Sequence, residues 1–187
     1  MQAVSERLAR AVPTHDLMSK QKRLILTGIS SLDTALDLEA AIARSFSASI
    51  PARRIGPQIV ALYREVSVTL GRATMRLTGF APAIQLGTFD MESVEDERAI
   101  SEWYRESRMP AFARIPGGIR ARRLVSVWGL AKLGVLYEFV SLEARLEYFE
   151  RLEGRAHDPG QPTAASRTIH PAFSPSIGER LGGCQRQ

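Results

Sequence analysis

The chain has 187 residues, 44% of them hydrophobic and 24% charged, with a net charge of +5 at pH 7. That length suits one ample domain or two small ones, and no apolar run reaches the roughly 18 residues that would suggest a membrane span. The single cysteine, Cys184, excludes an intrachain disulfide and fits a reducing, cytoplasmic setting.

Residues 1–20 read as a flexible extension or short helix broken at Pro13, and Glu6, Arg7 and Arg10 interrupt the compact apolar core of a signal peptide. Of the 25 basic residues only Lys20, Lys22 and Lys132 are lysine. The arginines form no basic stripe with interleaved aromatics, so nucleic acid is not an expected partner. Residues 21–82 read as an N-terminal α+β half. Arg23–Gly28 suits a buried strand ended by glycine. Asp33 or Asp37 starts a helix carrying Leu38, Ala41, Ile42 and Phe46 at helical spacing, and Pro51 ends it. Ile59–Tyr63 is apolar, and Glu65–Leu70 and Thr74–Thr78 alternate with period two. Gly79-Phe80-Ala81-Pro82 is the seam.

Residues 83–175 read as the main domain. Ile84–Asp90 is a strand. Ser93 opens a helix with Ile100, Trp103 and Tyr104 on one stripe, and Pro110 ends or bends it. After the Pro116-Gly117-Gly118 turn, Ile119–Trp128 is a strand. Ala121, Arg123, Val125 and Val127 lie on one of its faces, and Arg120, Arg122, Leu124, Ser126 and Trp128 on the other. Val135–Val140 follows, then a helix capped by Ser141 with Leu142, Leu146 and Phe149, and a last strand over Arg167–Phe173. Residues 176–187 read as a flexible tail. The order β-α-β-β-α-β is ferredoxin-like, an antiparallel sheet with both helices on one face. The uncovered face needs a partner, and face-to-face dimerisation is the usual solution.

The pair Trp103-Tyr104, then Pro110, Pro116-Gly117, Arg120-Ala121-Arg122-Arg123 and Leu136-Tyr137-Glu138, in that order, resembles the dimeric α+β barrel superfamily, and within it the EthD-like group. The resemblance covers residues 84–173, about half the chain. It implies a ferredoxin-like α+β barrel unit, built as a homodimer or, if the first half is a degenerate second copy, as an intramolecular pseudo-dimer. It also implies a small apolar or anionic organic ligand, and chemistry of the cofactor-free monooxygenase or isomerase kind. A non-catalytic dimerisation or binding module is the alternative. Members often carry Glu-His-aliphatic-Pro before the turn, whereas this chain has Ser107-Arg108-Met109-Pro110. Arginine stays protonated, so Arg108 holds charge and does not act as a general base.

The candidate ligand-binding residues are Trp103, Tyr104, Arg108, Arg122 and Tyr137. Arg120, Arg122 and Arg123 form a candidate anion site, against the plainer reading of a solvated face. Glu138 is expected to pair with one of these arginines across the hairpin. His170 is the candidate proton carrier, against the plainer reading of a surface histidine. His15, His157, His170 and Cys184 have no metal-ligand spacing, and no phosphate loop, nucleophile elbow or dinucleotide fingerprint occurs. No metal or cofactor is expected.

Overall fold

The computed structural model describes residues 7–11, 23–26, 28, 61–73, 75, 77, 79–129, 131–153 and 161–180. The helix expected after Asp33, the loop after Pro51, His15, His157 and Cys184 lie outside them.

The strands are β1 (Arg7–Ala11), β2 (Arg23–Leu26), β3 (Leu62–Leu70), β4 (Ala83–Met91), β5 (Gly118–Trp128), β6 (Leu133–Phe139), β7 (Thr168–Ile169) and β8 (Ser176–Arg180). They form one sheet in the order β2-β1-β8-β4-β6-β5-β3, with β7 pairing the far end of β4. Every pairing is antiparallel. Helix α1 begins with Val94–Trp103, passes through a π-helical turn at Tyr104–Arg108 and closes with Met109–Phe112. Helix α2 runs through Leu142–Ala144, a π turn at Arg145–Phe149, and Glu150–Glu153. The chain is therefore α+β, with helices on one face of an antiparallel sheet.

Local chemistry explains the helix starts. The Ser93 Oγ accepts from the Asp96 amide at 3.1 Å, and Glu95, Asp96 and Glu97 place negative charge on the first turn. The Ser141 Oγ accepts from the Ala144 amide at 3.2 Å in the same way. Pro110 does not end α1. Proline lacks an amide and its ring crowds the carbonyl four residues back. The turn before it is widened, with the Met109 amide bonded to the Tyr104 carbonyl, and the helix continues to Phe112.

The core lies between the helices and the sheet. Ile100, Met109 and Phe112 of α1 and Leu142 and Phe149 of α2 pack on Ala83, Phe89, Ala121, Val135, Tyr137 and Phe139. Alternation sends Ile84 and Leu136 to the outer face, where Leu24, Leu26, Phe80, Leu86 and Leu124 pack on them. Leu24 and Leu26 belong to β2, three places from β4 in the sheet, so this end of the sheet curls over its own outer face.

The N-terminal and C-terminal expectations change. Residues 7–11, expected in a loose tail or helix, are strand β1, because β8 offers an open edge. Leu62 and Tyr63, expected in a segment apart from Glu65–Leu70, lie with it in one strand, β3, with an irregularity between Glu65 and Ser67, while Ile59 and Val60 lie outside the described residues. None of the described residues among 73–77 is in a strand. The last strand is not Arg167–Phe173: Thr163–Arg167 is a 3-10 turn, Thr168–Ile169 pairs only with Asp90 and Met91, and Ser176–Arg180, expected in a flexible tail, takes the place beside β4.

One close approach has a measurable consequence. A Cβ on Gly71 would lie 2.1 Å from the Gly118 carbonyl oxygen, where the end of β3 meets the start of β5. The Gly71 amide bonds the Ile119 carbonyl there at 2.8 Å. Gly71→Ala is expected to separate the two strands and to destabilise the fold by about 1–3 kcal/mol. Chemical denaturation measures this, and an unchanged midpoint would contradict the contact.

Candidate functional site

The π turn in α1 brings the site together. Arg108 is the last residue of this turn and Met109 the first after it. With one residue added to the turn, Arg108 and Met109 are both buried, while Trp103 and Tyr104 remain partly exposed at the entrance of the same face. Trp103 and Tyr104 meet edge to face with centroids 5.1 Å apart. The Arg108 guanidinium lies 5.8 Å from the Trp103 ring, 6.0 Å from Tyr137 and 5.0 Å from Phe149. Its Nε donates to the Tyr137 hydroxyl at 3.4 Å. Four of the five candidate ligand-binding residues, Trp103, Tyr104, Arg108 and Tyr137, thus stand together.

Arg122 does not join them. It lies on the outer face of β5, where its Nε donates to Glu138 at 2.8 Å and its Nη1 to Glu65 at 3.2 Å. Arg120 also pairs with Glu138, with Nη2 at 3.0 Å from Oε1. The fully buried Glu138 carboxylate accepts the Ala81 amide as well, at 2.9 Å. The expected Glu138 pairing is present and takes two arginines. Period two is the reason for Arg122's placement: Ala121 opposite Tyr137 faces the helices, so Arg122 must face away and Arg123 must face in.

Arg123 therefore occupies the inner position. Its guanidinium lies 6.0 Å from the Tyr104 ring centroid. Burial pulls its pKa below the usual arginine value, opposed by the nearby Tyr104 and Tyr137, while Arg105 pushes in the same direction as burial. Among the described residues Arg123 has neither an ion pair nor a side-chain hydrogen bond. A half-buried cation without a carboxylate is an attractive seat for an anion.

Phe89, inside the expected strand Ile84–Asp90, is not among the expected site residues. It is buried and stacks on Tyr104 at 6.1 Å with an interplanar angle of 15°. His170 stands beyond Phe89, at 5.9 Å between centroids, and is exposed. Its Nδ1 is 3.2 Å from the Thr88 carbonyl and 3.5 Å from the Ser174 Oγ. A carbonyl can only accept, so this contact favours a proton on Nδ1 and leaves Nε2 as the basic nitrogen. His170 and Arg123 flank opposite sides of the Phe89–Tyr104 stack.

The His170 segment is fastened to α1 by Arg167, whose Nε donates to Asp96 Oδ2 at 3.1 Å and whose Nη2 pairs with Oδ1. Hydrogen bonds from Arg167 are the main cause that holds the Asp96 carboxyl below its ordinary value of 3.8. A depressed pKa in the folded state means that the clamp contributes fully above the unfolded value and is lost as pH falls through the lower folded value. Amide protection at Thr168–His170 is accordingly expected to be kept through the ordinary carboxylate range and to drop only in stronger acid. In Arg167→Gln it is expected to be low at every pH, and protection that ignores both changes would remove the clamp from the picture.

Among the described residues no three or more His, Cys, Asp or Glu side chains gather as a metal site. No described helix is long and apolar enough to cross a membrane.

No family model matches the chain, and no curated protein matches it. The chain is similar to the crystal structure of an anthrone oxidase-like protein, with a TM-score of 0.56 and 12% identity, over 97% of this chain and 78% of that chain. At that identity the likeness is one of fold.

Proposed function

We propose that the protein is a ferredoxin-like unit of the dimeric α+β barrel type, close to the EthD-like group, that binds a small planar aromatic molecule carrying an ionised oxygen. The order β8-β4-β6-β5, with both helices on one face, supports the first part of this reading. The observation that carries the second is Arg123, a desolvated guanidinium beside Tyr104 with no acidic partner among the described residues. Tyr104, partly exposed and backed by the buried Phe89 ring, offers the flat apolar surface, and Arg123 the charge.

The fold's likeness to an anthrone oxidase-like protein suggests which chemistry such a site would host. In cofactor-free oxidation of an activated methylene, the substrate loses a proton and its carbanion reduces dioxygen. One oxygen atom ends as a ring carbonyl and the other as water. A guanidinium next to the anion lowers the cost of that first deprotonation. His170, with Nε2 as its basic nitrogen, is the proton acceptor in this reading. The outer sheet face, with Val68 and Leu70 exposed, is read as the homodimer face.

The second reading is a binding module without chemistry. It is favoured by Arg108, only 6% exposed and enclosed by rings, which packs as a core residue does. A thermal-shift panel of aromatic acids, phenols and quinones, followed by oxygen-consumption assays on each ligand that stabilises the protein, separates the two. Stabilisation with oxygen uptake supports the oxygenase, and stabilisation alone supports the module. If no aromatic anion shifts the melting temperature, the ligand site is refuted.

A further inference from the structure

The indole Nε1 of Trp103 is closed to solvent and meets no hydrogen-bond acceptor among the described residues. It is the one buried side-chain nitrogen or oxygen among them in that condition. An unsatisfied buried donor costs about 1–3 kcal/mol. Such groups are rare in folded proteins, and each points to an acceptor that arrives from elsewhere.

The position of the donor narrows what the acceptor is. Trp103 is in edge contact with Tyr104, and Tyr104 is the ring that Arg123 stands over. The Arg108 guanidinium of the same cluster sits over the Trp103 ring at 5.8 Å. A cation on the ring makes the N–H a stronger donor and excludes a positively charged group from its neighbourhood. The acceptor best suited to one neutral N–H in an aromatic surrounding is a carbonyl oxygen on a flat ring system.

We infer that Trp103 is a specificity-determining residue whose Nε1–H binds a ring carbonyl of the ligand, while Arg123 holds the ionised oxygen. The ligand class is then a hydroxylated aromatic ketone or quinone, not a simple phenol or a fatty acid. This rests on the site proposed above and adds a second point of recognition to it.

The test compares 2-hydroxyanthraquinone with 2-hydroxyanthracene, which share the ring frame and the phenol but differ in the carbonyls. Binding to the wild-type chain and to Trp103→Phe is measured by calorimetry. The substitution is expected to weaken 2-hydroxyanthraquinone about tenfold, as loss of one hydrogen bond does, and to leave 2-hydroxyanthracene within twofold. A parallel measurement uses Trp128→Phe, which leaves Trp103 as the sole tryptophan of the two in the chain. Its emission is expected to be quenched by the quinone at stoichiometric concentration. This second variant keeps the inference testable should Trp103→Phe fail to fold. Equal weakening of both ligands by Trp103→Phe, or Trp103 emission indifferent to bound quinone, overturns the inference and leaves the site standing. Failure of both ligands to bind the wild type overturns the site itself, and the inference with it.

Discussion

Arg123→Gln is expected to weaken binding of an anionic aromatic ligand by about tenfold to a hundredfold, because a charge-assisted contact in a half-desolvated place contributes roughly 1.5–3 kcal/mol. The argument runs through the sheet. Arg123 shares the face of Ala121 and Val135, so its side chain must pass between β5 and α1 and emerge beside Tyr104. Glutamine keeps the length and polarity but removes the charge. Neutral ligands of the same shape should therefore bind both proteins alike, and the affinity difference should shrink with rising salt. Arg123→Lys is expected to recover part of the affinity. Arg122→Gln is the control, one residue away on the opposite face with Glu138 and Glu65. It should leave ligand affinity unchanged while lowering stability. Calorimetric titration of the three variants decides the matter, and equal loss in Arg122→Gln and Arg123→Gln would show that neither face is the binding face.

Glu138→Gln is expected to destabilise the protein by about 3–5 kcal/mol, the range for removing one partner from a buried ion pair. Glu138 is fully buried and is the common acceptor of Arg120, Arg122 and the Ala81 amide. Glutamine can accept from one of these groups and adds an amide with donors of its own, so two guanidinium groups lose their counter-charge. The outer face would relax around Phe80, over which Arg122 lies at 5.3 Å. Urea denaturation at neutral pH measures the loss, and a change under about 1 kcal/mol would mean that the arginines find Glu65 or water instead.

The sequence shows the frame of the fold through its periodicities. The strand pattern in Ile84–Asp90, the helix stripe of Ile100, Trp103 and Tyr104, and the Ser93 and Ser141 caps all rest on local chemistry, and all stand in the structure. Alternation also separated Arg120 and Arg122 from Arg123, but alternation has no sign. Which face meets the helices depends on Ala121 pairing with Tyr137, a tertiary fact. Arg122 was therefore assigned to the site that Arg123 occupies. Pro110 is the one sequence signal beside the first π turn and reads equally as a helix end, while nothing in Arg145–Phe149 departs from an ordinary helical composition. Each π turn contains a buried arginine, Arg108 in the first and Arg145 in the second, the latter donating to Gln85 at 2.8 Å. The last strand starts nine residues after the expected Arg167, because Arg167–Phe173 and Ser176–Arg180 are both short segments of mixed polarity. Only the open edge of β4 distinguishes them, and the same edge effect drew residues 7–11 into the sheet.

Strand β8 lies between β4 and β1, so residues 83–86 and 9–11 both pair with residues 176–180. During synthesis that seat stays empty until nearly all of the described chain has been made. Through that time β4 presents one unsatisfied backbone edge, and β1 with β2 has nothing to dock against. Pairings of such long sequence separation slow folding, and an exposed edge is a template for association with other chains. Yield of the native protein should therefore depend on synthesis rate and on chaperones that shield strand edges more than on the strength of its core.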